Sequence, residues 1–133
     1  MDQGSLVEKQ IEAGLKLALN FHTQYKPLIA AFWLKEDEGQ WFLYLASDQI
    51  DDTNFDLAYG AVIRLLSLEP HPWLDTFEVK VAGIDDPIVR NIVDIQRKYP
   101  GASRRLRNRM IGGQSVEGIY VYGVDEISLS PSP

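Results

Sequence analysis

Arg104, Arg105, Arg107 and Arg109 crowd into a six-residue span. With Arg97 and Lys98 they place six positive charges between positions 97 and 109, a stretch without a single acid. A guanidinium is a planar fork of donors that engages phosphate or carboxylate bidentately, so the chemistry on offer is anion binding. If residues 105–111 form a strand, Arg105, Arg107 and Arg109 project from one face about 6.6 Å apart, with Leu106 and Met110 turned to the core. The remaining 120 residues carry 7 basic and 19 acidic side chains, a balance of −12. Asp48, Asp51, Asp52 and Asp56 supply four of those acids within nine residues. The arginines therefore have three classes of partner: nucleic acid, an acidic protein surface, or the chain's own acids, within one chain or across a homodimer. Repulsion between an acidic body and phosphate disfavours nucleic acid and favours the other two.

Other constellations are incomplete. Asp52, Asn54 and Asp56 match the first three ligand positions of a calcium-binding EF-hand loop, but Leu57 stands where the turn needs glycine and Ile63 where a bidentate glutamate must sit. Glu78 and Lys80 are spaced as the acid and lysine of a metal-dependent nuclease, which also needs an aspartate at the same ion. Asp75 is too near for that role, and Asp48 or Asp52 precedes a helix. Gly113-Gln-Ser115-Val-Glu117 lacks the second glycine of a nucleophile elbow and precedes a strand rather than following one. His22 lies on an apolar helical stripe and reads as a core-edge residue. His71, between Pro70 and Pro72, reads as a surface histidine near Glu69 and Asp75, a poor metal site. Trp73, in the same connector, either staples it to the core or belongs to a contact surface. No phosphate-binding or dinucleotide-binding glycine loop occurs, and no cofactor or metal is expected.

The elements that carry these residues follow from periodicity. Ser5 and Glu8 can form a capping box for a helix over residues 6–25, with Val7, Ile11, Leu15, Ala18, Phe21, His22 and Tyr25 on one stripe. A hairpin follows, Leu28–Lys35 and Gln40–Ser47, apolar on both faces and so expected centrally in a sheet. A second helix is expected over Asn54–Leu68, capped by Thr53 and Asp56, burying Phe55, Tyr59, Val62 and Leu66. Thr76–Gly83 alternates as a strand, with Phe77, Val79 and Val81 inward. Asp86 and Pro87 open a third helix that buries Ile88, Val89 and Ile92 and stops at Tyr99. The last strands are expected over Arg105–Ile111 and Gly118–Val124. The result is one α+β domain over residues 1–127, in the order α-β-β-α-β-α-β-β, with three helices on an antiparallel or mixed sheet of about five strands. Residues 128–133 form a Ser/Pro-rich tail expected to fray.

Composition agrees with a single globular domain: 133 residues, 45% hydrophobic and 24% charged. Cysteine is absent, which removes disulfides and thiolate chemistry. No apolar run reaches the roughly 18 residues of a membrane span, and Met1–Ser5 has no signal-peptide character. A cytoplasmic location without membrane association is expected.

Three stretches, Trp41 to Ser47, Phe77 to Lys80 with Asp85-Asp86-Pro87, and Tyr99 through Arg109 to Tyr122, together resemble small uncharacterised bacterial proteins. The resemblance covers about residues 32–123 and implies an intact bacterial, cytosolic domain, but no site. The residues thus favour a non-catalytic binding or interaction protein that takes an anionic partner or self-associates. Arg104, Arg105, Arg107, Arg109 and Trp73 are its candidate contacts, with Asp48–Asp56 as a complementary segment. The rivals are a nucleic-acid-associated factor using the arginines and a nuclease using Glu78 and Lys80.

Overall fold

Runs that are apolar on both faces need cover on both faces, and the hairpin receives it. The computed structural model describes residues 6–99, 101 and 103–127. The hairpin forms β1 (Ala30–Glu36) and β2 (Trp41–Ala46), and Ala30 to Lys35 are all buried. Three further strands, β3 (Val79–Ala82), β4 (Arg104–Ile111) and β5 (Gln114–Val121), complete a five-stranded mixed sheet. Its order is β3-β2-β1-β5-β4, and only β2 and β3 run parallel. That parallel pair requires a crossover, supplied by helix α2 (Phe55–Leu68). The α+β order is the expected one, with a short additional helix after β5.

Side chains alternate across the sheet into two cores. Ala31, Trp33, Leu43, Leu45, Val79 and Val81 face α2 and helix α1 (Glu8–Gln24). Phe32, Leu34, Tyr44, Ile119 and Val121 face helix α3 (Pro87–Lys98), which contributes Ile88, Val89 and Ile92. Helix α4 (Val124–Ile127) seals one end with Ile127. The first core is cross-linked by a polar chain: Trp33 Nε1–H donates to Tyr122 Oη at 2.9 Å, and that hydroxyl donates to the Ile11 carbonyl at 2.6 Å. No helix among the described residues is long and apolar enough to cross a membrane.

Several local devices match the sequence. Asp86 caps α3 by accepting the Ile88 N–H at 2.8 Å, with Pro87 at the first helical position. The β4–β5 turn needs only Gly112 and Gly113, at φ +58° and +82°, the left-handed pair that suits a two-residue hairpin. The loop expected over 112–117 is therefore shorter, and β5 starts at Gln114.

Other expectations are corrected. Phe77 is 85% exposed, not inward. Asp75 Oδ1 accepts the Phe77 N–H and Glu78 Oε1 accepts the Asp75 N–H, a reciprocal cap that winds Thr76–Glu78 into a 3-10 turn and shortens the strand to Val79–Ala82. Thr53 and Asp56 do not cap α2. Instead Asn54 is its N-cap residue, and Asp51 accepts from both the Thr53 N–H and its hydroxyl. Buried Ala58, Ala61 and Leu65 join Val62 and Leu66 on the inner stripe, displacing Tyr59 to the rim. The Ser5 cap and the 128–133 tail lie outside the described residues.

Candidate functional site

Strand β4 forms one edge of the sheet and carries the arginines. Arg105 and Arg107 lie opposite Tyr120 and Gly118 on the α1/α2 side, and Leu106 opposite Ile119 on the α3 side. At Asn108 the alternation breaks. Its φ is +49°, and beside it β5 bulges, so that Lys35 pairs with Gly118 but Glu36 with Val116. Arg109 consequently lies opposite Val116, two residues before Ile111, and both of these belong to the α3-side core. The three arginines expected on one face are divided. Arg105 and Arg107 flank one side of the edge, and Arg104, opposite Val121, and Arg109 flank the other. Met110 is 65% exposed, and Ile111 is buried where Met110 was expected.

All four guanidiniums are exposed. The ion pairs among the described residues are Lys35–Glu117 at 2.8 Å and Arg90–Asp85 at 3.4 Å. Neither involves Arg97, Lys98, Arg104, Arg105, Arg107 or Arg109, nor any of Asp48, Asp51, Asp52 and Asp56. The expected pairing with the Asp48–Asp56 segment within one chain does not form. Asp51 is engaged locally, and hydrogen bonds from the Thr53 hydroxyl and N–H hold its carboxyl below the usual carboxylate range.

Two aromatic rings complete the edge, and neither was singled out from the sequence. Arg104 lies over Tyr99 at 4.5 Å, and Arg105 over Tyr120 at 5.6 Å. Tyr99 follows α3, whose last turn bears Arg97 and Lys98, cations that suit a helix C-terminus. The cations of the acid-free stretch are thus carried by the end of α3 and by β4. The signal for Tyr120 was its alternation with Ile119 and Val121. Its partner across the ladder could not be read without the strand register.

The remaining candidates separate. Glu78 lines an open groove of about 680 Å³ with Leu66, His71, Asp75 and Phe77. Lys80 lies opposite Tyr44 and over Phe42, at 4.3 Å, on the α3 side. The acid and lysine of a nuclease site do not converge. His22 Nδ1 accepts the Leu28 N–H at 2.9 Å, which holds the turn into β1. Trp73 is 46% exposed with Lys9 over its ring at 5.5 Å, while Leu74, 6% exposed, anchors the connector. No group of three metal-ligating side chains occurs among the described residues. No protein-family model, curated protein or solved structure matches the chain.

Proposed function

We propose that this chain is a non-catalytic cytoplasmic binding protein that holds an extended acidic protein segment along β4. One observation carries the reading: an edge strand bearing four exposed guanidiniums, two on each side, without an acid within ion-pair distance among the described residues. An edge offers unpaired backbone N–H and C=O groups, and charge on it ordinarily repels other strands. Arginine repels basic strands and resists desolvation beneath neutral ones but admits an acidic one, whose alternate carboxylates would meet Arg105 and Arg107 on one side and Arg104 and Arg109 on the other. The Asp48–Asp56 segment of a second chain has the required charge but is folded, with turns at 48–49 and 52–54 and Asp56 in α2. A homodimer through this edge would therefore be a contact between surfaces and not an added strand.

The Arg104–Tyr99 and Arg105–Tyr120 pairs favour a second reading, since guanidiniums interleaved with rings also suit single-stranded nucleic acid. The acidic remainder of the chain opposes it. Fluorescence anisotropy with a glutamate-rich peptide and an oligonucleotide of equal charge separates the two. The peptide should bind, weaken with salt, and be lost when Arg104, Arg105, Arg107 and Arg109 are changed to glutamine, with the circular dichroism spectrum unchanged. Submicromolar oligonucleotide binding at about 150 mM salt, without peptide binding, would establish the second reading instead. Binding to neither defeats both.

A further inference from the structure

The outer face of α2 is poor in charge for a surface helix, and the two charges it has are placed symmetrically. Gly60 is exposed at its centre, and a Cβ built there would meet nothing within 4 Å. Asp56 lies four residues before it and Arg64 four after, so the three form one i±4 row. Both charged residues are exposed, and neither makes an ion pair or side-chain hydrogen bond among the described residues. Leu57, 68% exposed, and Ile63, 53% exposed, lie three residues before and after Gly60. At about 100° per residue they flank the row on opposite sides, about 60° from Gly60.

Such a surface is complementary to itself. When two antiparallel helices cross on a two-fold axis at residue 60, position 56 of each reaches the height of position 64 of the other. A row of this kind is inclined about 26° to the helix axis, so two copies crossing at about 50° lay their rows along each other. Asp56 then faces Arg64 of the second copy at both ends of the contact. The missing side chain at Gly60 lets the backbones approach, and Leu57 and Ile63 cover the flanks. We propose that the outer face of α2 is an isologous homodimer interface, centred on Gly60 and closed by two Asp56–Arg64 ion pairs. It does not use the β4 strand, and of the acidic Asp48–Asp56 segment it uses Asp56 alone.

A 14-residue helix is about 21 Å long, so its face falls short of the roughly 800 Å² per partner of a standard interface. The dimer should therefore be weak, with a dissociation constant of about 10–100 µM. Sedimentation equilibrium of the full chain from about 5 to 500 µM spans that range. Asp56→Arg should leave like charges facing at both ends, as should Arg64→Asp, and each should weaken self-association at least tenfold. Mixing the two singly reversed chains restores opposite charge at both contacts, so they should form a heterodimer as tight as the native dimer. The chain carrying both reversals should dimerise again on its own. Gly60→Lys, which the open space admits without disturbing the fold, should abolish the dimer by opposing two ammoniums across the axis. A native chain that stays monomeric to the top concentration overturns the proposal. So does a dimer untouched by Asp56→Arg, failure of the mixed pair to associate, or a dimer dissociated by the β4 glutamine changes.

Discussion

Removing one oxygen atom tests the packing of the α1/α2-side core. Trp33 and Tyr122 are both 0% exposed, and the Tyr122 hydroxyl is the acceptor for the indole N–H and a donor to the Ile11 carbonyl. Gly14 is opposite: a Cβ there would lie 2.5 Å from Tyr122 Oη and 2.8 Å from Trp33 Nε1, so glycine makes the room. Burial pushes the Tyr122 phenol well above its usual range, which keeps it a neutral donor. Tyr122→Phe keeps the ring and strands the indole N–H without an acceptor, at a cost of about 1–3 kcal/mol for the buried donor. Adding the lost bond to Ile11, we expect about 2–3 kcal/mol in total. At about 2.1 cal/mol/K per residue, the unfolding entropy of 133 residues makes each kcal/mol worth roughly 3.6 °C, so Tm should fall by about 7–11 °C. Urea unfolding followed by circular dichroism measures the free energy, and Trp33→Phe made in both backgrounds measures the coupling. Once the acceptor is gone, Trp33→Phe should cost at least about 1 kcal/mol less than in the native chain. A Tyr122→Phe loss below about 0.5 kcal/mol, or strict additivity of the two changes, would refute the reasoning.

Val62 and Ile92, both 0% exposed, sit in opposite cores, and alanine at either should cost about 2–4 kcal/mol in urea unfolding through lost burial plus a cavity. Tyr44 has its pKa raised from 10.0 to about 12, by burial first and then by the negative charges of Glu36 and Asp86. Because the folded state favours the neutral phenol, its contribution is complete below pH 10.0 and is lost as pH rises to about 12. The loss should reach about 2–3 kcal/mol across that interval, and Tyr44→Phe should flatten this part of the alkaline stability profile.

What could be read from the sequence followed from local causes. The central hairpin was legible because Phe32 and Trp33, like Tyr44 and Leu45, are apolar on successive positions, and only a doubly covered strand tolerates that. Helix α3 was legible because Asp86 and Pro87 act on their own neighbours. Phe77 misled because alternation was read through a point where two side chains, Asp75 and Glu78, wind the backbone into a turn. The division of the arginines was illegible because it depends on one left-handed residue, Asn108, opposite a bulge in another strand. The Tyr120 ring lay hidden because its place depends on strand register. Tyr120 meets Arg105 only through the ladder between β4 and β5.

The order of the strands also has a consequence in time. The middle strand, β1, is bordered by β2, which follows it at once, and by β5, which pairs Phe32 with Val121 near the far end of the chain. Closing that ladder spans most of the polypeptide, and contacts of such high sequence separation slow folding. During synthesis β1 and β2 follow α1 and precede α2, α3 and β5, and the β1 edge of the hairpin stays open until β5 arrives. Until α2 and α3 follow to cover its two faces and β5 to pair with β1, the hairpin exposes apolar surface, a state prone to aggregation. Once β5 arrives, that side of the sheet ends in the arginine-bearing β4, so a sticky border there gives way to a selective one.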